Sequence, residues 1–146
     1  MEAIMAIRMI TRSDLADVLE LERTSFVAPM SREEFVDWIL RDDTFCLVYE
    51  VRGQIAGFML YVLTGKTYLI HSIAVDRGLR FQGIASEMLT HLKYGLIDKG
   101  WRILCSVRTG NVPAMQLFWK NGFKKIGSQS IKGSGEAWIR MIYNQD

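Results

Sequence analysis

The chain has 146 residues and a mass of 16.8 kDa, which is the size of one domain and leaves little length for a second. Apolar residues make up 49% of it, which excludes a disordered chain, and no apolar run approaches the ~18 residues that cross a bilayer. The net charge is +2, without any block of Lys and Arg, so we expect neither a nucleic-acid nor a membrane partner. The N-terminus lacks a basic-then-apolar signal pattern, and we therefore expect a cytoplasmic location.

In chain order, the apolar pattern predicts a strand, two amphipathic helices and a β-hairpin. The first strand covers residues 4–10, and Ser13 or Thr11 caps the first helix. Ser31 opens the second helix, because Ser31 and Glu34 have the spacing of a capping box. The hairpin strands are residues 45–51 and 54–63.

The remainder of the chain alternates strands with two helices. A strand at 67–76 is apolar on both faces except for His71 and Ser72, which is typical of a central strand. The other predicted elements are a loop at 77–82, a helix at 83–99, a strand at 102–108, a helix opened by Asn111, and strands at 123–131 and 136–143. The order βααβββαβαββ predicts one α/β (α+β) domain over residues 1–146, with helices on both faces of a mixed sheet of about seven strands.

Charge and cysteine placement limit the chemistry. Residues 1–50 carry eleven acids against five arginines, whereas residues 51–146 carry thirteen basic residues against five acids. This is either ordinary solvated surface, or an anionic ligand is held by the second half while a basic one approaches the first. Cys46 and Cys105 sit singly in apolar runs without a nearby histidine, so we expect buried thiols, and neither a disulfide nor a metal site.

The junction after the central strand carries the strongest chemical signal. A helix begins near Gly83, where free backbone N–H groups and the positive end of the helix dipole favour phosphate. Gly83 and Ala85 keep bulk away from such a ligand, and Arg80 adds a charged donor. The same residues also fit a plain strand–turn–helix junction.

These residues resemble a known motif. Arg80, Gly83 and Ala85 have the spacing of the acetyl-CoA pyrophosphate motif (Q/R-x-x-G-x-G/A) of the GNAT N-acetyltransferase superfamily. Residues 111–123 are similar to the second signature of that family, N-x-x-A-x-x-L-Y-x-x-x-G-F, with Phe118 in the Tyr position. Within the superfamily, residues 29–31, 107–108 and 136–141 resemble the ribosomal-protein-alanine N-acetyltransferases.

The resemblance implies a set of contacts with acetyl-CoA. The backbone of Ile73 and Val75 would pair with the pantetheine arm, the amides of residues 80–86 would hold the pyrophosphate, and Asn111 would contact the pantetheine portion. The two acidic helices of the first half would border a cationic amine acceptor. The complete implied set is Ile73, Ala74, Val75, Arg80, Phe81, Gln82, Gly83, Ile84, Ala85, Ser86 and Asn111.

The chain departs from the alanine-acetylating pattern at both proton-transfer positions. The Glu that acts as base in those enzymes is Ser106 here, and the Tyr that protonates the thiolate is Phe118. Neither side chain can do that work. His71 is the candidate replacement, since strand alternation predicts that it shares a face with Leu69 and Ile73; a packed core histidine is the alternative.

Taken together, the resemblance implies transfer of an acetyl group from acetyl-CoA to a primary amine, by direct attack in a ternary complex. A protein N-terminal α-amine is the first choice of acceptor. A small-amine acetyltransferase and a non-catalytic acyl-CoA-binding module are the alternatives, the latter because of Ser106 and Phe118. The sequence identifies neither the acceptor nor the oligomeric state.

Overall fold

Seven strands in the described part of the chain form one mixed sheet. The structure is a computed structural model and describes residues 4–26, 28–80, 82–96 and 99–144. The strands are β1 (Met5–Met9), β2 (Thr44–Val51), β3 (Gln54–Thr64), β4 (Thr67–Val75), β5 (Arg102–Arg108), β6 (Lys124–Ser130) and β7 (Ala137–Asn144). The helices are α1 (Leu15–Ser25), α2 (Arg32–Ile39), α3 (Ile84–Tyr94) and α4 (Val112–Lys120).

The strand order is β1-β2-β3-β4-β5-β7-β6, and within it β4 and β5 are the parallel pair. The chain crosses between these two strands through α3, as a parallel connection requires. The predicted order of elements and the α/β fold with helices on both faces are confirmed.

Two apolar cores occupy the two faces of the sheet. On one face α3 and α4 bury residues such as Met88, Leu89 and Phe118 against β2 to β5 and β7. On the other face α1 and α2 bury Val18 and Phe35 against β2, β3 and β4. The helices therefore cover the β4 region from both sides.

The predicted starts of the first two helices differ in outcome. The Ser31 capping box is confirmed, because the N–H of Glu34 donates to Ser31 Oγ at 3.1 Å. The prediction that Ser13 caps α1 is wrong. A 3-10 turn over residues 12–14 precedes that helix, and Thr11 is the N-cap of this turn. The carboxylate of Asp14 accepts hydrogen bonds from Arg8 and from Thr11, which lowers the pKa of Asp14 to about 2.

The helix predicted at 83–99 ends earlier than expected. The helix α3 ends at Tyr94. The N–H of Gly95 donates to the carbonyl of Leu92, three residues earlier, at 3.1 Å. This tighter turn closes the helix before Gly100 is reached. None of the described helices is long and apolar enough to cross a membrane.

Gly57 of β3 allows α3 to approach the sheet closely. A Cβ atom at this position would lie 3.0 Å from the carbonyl oxygen of Ala74 and 3.2 Å from the side chain of Met88. Any larger residue would push against β4 or α3. The absence of a side chain at Gly57 therefore helps to set where the N-terminus of α3 meets the end of β4.

The strands β4 and β5 separate after a short stretch of pairing. Their parallel register covers Thr67 to Leu69 against Arg102 to Leu104, and no pair is formed between the described residues beyond it. On its other edge β4 stays paired with β3 up to Val75. A gap therefore opens in the middle of the sheet, between the last residues of the two strands.

Candidate functional site

A cleft of about 370 Å³ opens at the end of β4. Its walls come from β4, from the loop that leads into α3, from the first turn of α3 and from one face of α4. The C-terminal end of α1 closes the remaining side. The cleft is therefore built at the point where the central strands diverge.

The start of α3 supplies hydrogen-bond donors to this cleft. Gly83 precedes the helix with φ of +82°, a left-handed conformation that favours glycine, and no side chain caps the first turn. The first amides of a helix have no partner inside the helix, and those of Ala85 and Ser86 belong to residues that line the cleft. This arrangement suits an anion.

The free edge of β4 presents backbone groups to the gap. The N–H of Asp76 donates to Ala56 of β3, so strand alternation directs the polar groups of Ile73 and Val75 to the opposite side, toward β5. Arg80 confirms this direction for Val75, because its Nε donates to the Val75 carbonyl at 3.3 Å. An extended ligand arm in the gap would meet an unpaired strand edge.

Most of the predicted binding residues line the cleft. Gln82 instead lines a separate depression with Tyr49 and Arg52, and Phe81 lies outside the described residues. Gln82 therefore offers the cleft no side-chain contact. The residues placed in the cleft as predicted are Ile73, Ala74, Val75, Arg80, Gly83, Ile84, Ala85, Ser86 and Asn111.

Asn111 has two roles at the start of α4. Its Oδ1 accepts from the N–H of Ala114 at 3.3 Å and caps the helix, while the residue itself lines the cleft. The capping bond uses the oxygen and leaves the Nδ2 donor for a ligand. A single asparagine thus both starts the helix and offers a polar contact.

The sequence motifs did not identify Lys120, a positively charged residue of the cleft. Lys120 lines it from the last turn of α4, one helical turn beyond Leu117 and two beyond Pro113. That spacing of three and four residues places the three side chains on one helix face. Helical periodicity counted from Pro113 was the signal that would have found Lys120.

The opposite side of the sheet holds His71, and here the sequence-based expectation is wrong. Leu60 of β3 pairs with Ser72 while Tyr61 pairs with Ile70, so His71 is the extra residue of a β-bulge. The bulge reverses the alternation. Ile73 packs against the core under α3 and α4, whereas the ring of His71 contacts Trp38 of α2, with 4.7 Å between ring centroids.

His71 lies at an exposed position of β4, and its ring contacts Trp38. Its Nδ1 lies 3.1 Å from the Oγ of Ser72, and the guanidinium carbon of Arg41 lies 4.0 Å from the centroid of the Trp38 ring. Desolvation, followed by the charge of Arg41, lowers the pKa of His71 below its ordinary value. At neutral pH the ring is therefore uncharged and can accept a proton.

The two positions that replace family acid–base residues have different surroundings. Ser106 is exposed on the side of β5 that faces away from α3 and α4, because Cys105 and Val107 are buried under those helices. Leu69 and Leu104 are paired, so His71 and Ser106 each lie two residues beyond the point of divergence. Phe118 is buried against Phe123, with a ring-centroid distance of 5.0 Å, and serves only packing.

Sequence reasoning also missed the buried carboxylate of Glu22. This α1 residue is 2% exposed, the N–H of Met30 bonds to its carboxylate, and Oε2 has no partner among the described residues. Burial, with a contribution from the charge of Glu34, raises the pKa of Glu22 to about 7. Glu22 follows Leu15, Val18 and Leu19 at the spacing of the apolar face of α1, so helical periodicity was the signal for its burial.

Neither cysteine is activated. Burial raises the pKa of Cys46 and of Cys105 to about 12, so both are thiols at neutral pH. Both lie in the two cores, away from the cleft lining.

Comparison with known proteins agrees with this geometry. The model of the acetyltransferase (GNAT) family matches residues 14–123. The uncharacterized N-acetyltransferase MJ1530 of Methanocaldococcus jannaschii is 29% identical over 123 residues, which cover 82% of this chain and 78% of that protein.

Solved structures share the fold at lower identity. The crystal structure of the ribosomal-protein-S18-alanine N-acetyltransferase from Escherichia coli has a TM-score of 0.85 and 21% identity, covering 96% of this chain and 93% of its own. Arabidopsis thaliana NAA60, solved with a bisubstrate analogue, has a TM-score of 0.81 and 16% identity, covering 96% and 97% of the two chains.

We predict that replacing Gly83 with Val abolishes binding of acetyl-CoA to the cleft. The side chain would stand where the backbone must approach the ligand, at a φ that valine rarely adopts. Isothermal calorimetry on the folded variant measures this loss. Gly53→Val is the matched control, because Gly53 has φ of +81° with open space around it but lies in the β2–β3 turn. Unchanged affinity in Gly83→Val would refute the placement.

A second prediction concerns Glu22. Its pKa is raised in the folded state, so its contribution to the free energy of unfolding is most favourable below the ordinary pKa of a glutamate. This contribution is lost as pH rises through about 7. Glu22→Gln should therefore raise Tm at pH 8 and have a smaller effect at pH 5. Thermal melts across this range measure the difference. Glu20→Gln, at an exposed position of the same helix, should give a flat difference. A flat difference for Glu22→Gln contradicts the assignment.

Proposed function

The chain belongs to the acetyltransferase (GNAT) family, and from this membership we propose that it acetylates the α-amine of a protein N-terminus. As a member it is an N-acetyltransferase that uses acetyl-CoA. The observation that carries the proposal is the gap between β4 and β5, with an anion-binding helix start on one side and His71 and Ser106 on the other.

The residues of the cleft fit acetyl-CoA. The uncapped first turn of α3, together with Arg80 and Lys120, provides donors and positive charge for the phosphates. The free edge of β4 at Ile73 and Val75 offers backbone partners to the amide groups of the pantetheine arm, and the apolar wall at Leu117 covers that arm. When bound, the group supplies an acetyl thioester at the gap.

The proposed transfer proceeds without a covalent intermediate on the protein. The amine nitrogen bonds to the acetyl carbon, the carbon–sulfur bond breaks, and the amine loses a proton to a base. Cys46 and Cys105 take no part, because both are buried thiols. Direct attack by the acceptor is therefore the proposed route.

An α-amine suits a site without a strong base. An α-amino group with a pKa near 8 loses its proton at pH 7 at a cost of about 1 kcal/mol, whereas a lysine side chain near 10.4 costs about 4.6 kcal/mol. Ser106 stands where a carboxylate would otherwise take the proton, so the deprotonation cost falls on the acceptor itself.

His71 is the proposed proton acceptor. Its uncharged ring lies at the bulge beside the gap, on the same side of the sheet as Ser106. With Nδ1 protonated and donating to Ser72 Oγ, the lone pair is on Nε2. Phe118 cannot return a proton to the leaving thiolate, but a thiolate with a pKa near 8.5 leaves without much assistance.

A non-catalytic acyl-CoA-binding module is the second candidate. The burial of Phe118 and the neutral Ser106 favour it, because both remove proton transfer from the usual positions. Release of free thiol from acetyl-CoA in the presence of N-terminal peptides distinguishes the two. Binding without thiol release would support the module and defeat the enzyme proposal.

We expect α-amines to be acetylated well over tenfold faster than lysine side chains at pH 7, from the ~3 kcal/mol difference in deprotonation cost. Two peptides of equal length test this: one has a free N-terminus and no lysine, and the other has a blocked N-terminus and a single lysine substitution. Initial rates at equal subsaturating concentration give the ratio. Equal rates would show that acceptor deprotonation does not limit the reaction.

Replacing His71 with Gln should lower kcat by roughly 10²-fold or more while acetyl-CoA affinity stays near normal, since Gln keeps hydrogen bonding but accepts no proton. The acceptor amine, with a pKa near 8, makes kcat/KM rise with pH in both proteins. Because the pKa of His71 lies below its ordinary value, the wild-type profile should become steeper below about pH 6.5, and the variant should lose this extra steepness. His91→Gln, at an exposed position on α3, is the control. A lower Tm with an unchanged kcat would assign His71 to packing alone.

A further inference from the structure

Half of one sheet face is left uncovered next to the gap. Val107, Ile139 and Met141 point into the core under α3 and α4, so strand alternation directs their neighbours to the other side. The helices α1 and α2 cover that side only over β2, β3 and β4. The open face thus defined carries, near the gap, the side chains of Ser106, Arg108, Trp138 and Arg140.

This open face can be reached by an acceptor. Most of the lining of the acyl-donor cleft comes from β4, α3 and α4, with the end of α1 on the remaining side, and it includes neither His71 nor Ser106. An amine therefore meets the gap from the open face, where Ser106 lies, with His71 on the same side of the sheet at the border covered by α2. Trp138 is 41% exposed there, an apolar surface beside the approach path.

The open face is cationic near the gap. Glu136 neutralises the charge of Arg108, because its carboxylate accepts a hydrogen bond from Arg108 Nη2 at 3.2 Å. The same carboxylate accepts from the N–H of Gly110 at 2.9 Å. Arg41, stacked on Trp38, borders the face from α2. Within the part of the chain that the structure describes, Arg140 forms no ion pair. This differs from the expectation of an acidic surround for a cationic amine.

Arg140 stands beside the reacting position. It pairs with Ser106 across β5 and β7, and such paired residues have Cβ atoms about 5 Å apart. On its other side the paired residue of β6 is Gly127, which has no side chain to restrict the guanidinium. Arg140 can therefore reach a group one or two residues away from an amine held at the gap.

We infer that Arg140 is a specificity-determining residue that binds a carboxylate of the acceptor, so that the preferred acceptor is a protein N-terminus with Asp or Glu in its first residues. A planar guanidinium free of partners forms paired, charge-assisted hydrogen bonds with a carboxylate. The inference rests on the proposed function, because it concerns the acceptor of that same site. A second cationic group on the acceptor would be repelled here by Arg41 and Arg140.

Arg140 acts on the position of the acceptor and leaves proton transfer to other groups, because a guanidinium paired with a carboxylate has little net charge to act on the neighbouring amine. Arg140 acts here as a positioning residue, through the acceptor and its charge.

The test is a comparison of peptides that differ at their second residue, which is Asp, Asn or Lys, at constant length and low salt. We expect wild type to show the lowest KM for Asp and the highest for Lys. Arg140→Gln should raise KM for the Asp peptide by roughly tenfold to a hundredfold, with little change for the Asn peptide. Arg140→Glu should invert the order of Asp and Lys.

Lys125→Gln is the matched control. It removes the same charge from β6, but Lys125 pairs with Met141 and so lies on the α3 and α4 side of the sheet. The KM values of Lys125→Gln should rank the three peptides in the same order as those of wild type. Thermal melts check that each variant is folded before KM is compared.

The outcomes separate this inference from the proposed function. Peptide acetylation with a ranking that Arg140→Gln leaves unchanged would overturn the inference and keep the function. If the protein acetylates free amino acids alone, and if amino acid amides and the Arg140→Gln variant show no such activity, the carboxylate site is supported and the peptide acceptor is overturned. A preference for a polyamine over every peptide would overturn both.

Discussion

The separation of β4 from β5 is the constraint on which the site depends. Three residue pairs hold the two strands together, and then each continues with a free edge toward the other. The other interior ladders run along most of each strand, so the unpaired backbone groups inside the sheet lie here, in addition to those on the outer edges of β1 and β6. Such groups need partners when water is excluded, and a substrate arm with amide groups can supply them. The gap is at once a defect in the ladder and a place to bind.

The gap also divides the chemistry between two faces. The start of α3 reaches one face because Gly57 lets the helix pack close to β3 and because Gly83 turns the chain with φ of +82°. The bulge in β4 directs His71 to the other face, against Trp38. An acyl donor and an amine can therefore approach one point from opposite sides without competing for space. Direct transfer needs this arrangement, since both substrates must be present together.

The electrostatic design replaces an acid–base pair with neutral and cationic groups. Phe118 fills the core, Ser106 is exposed and uncharged, and Arg140 stands beside it. A buried carboxylate with a raised pKa is present in Glu22, but it lies on α1, where the N–H of Met30 partly satisfies it. In the proposed reaction, proton transfer would therefore depend on the acceptor amine and on His71.

The sequence by itself determined the order of elements, the fold class and the glycine turn before α3. These follow from local signals, because apolar spacing, the Ser31 capping box and the glycine before α3 act over a few residues. Only the tertiary structure decided the early end of α3, the face of His71, and the pairing of Arg140 with Ser106. A single extra residue in β4 reversed the side predicted for His71, and strand alternation has no way to register such a bulge. Cross-strand pairing joins residues that are far apart in the chain, so no local pattern contains it.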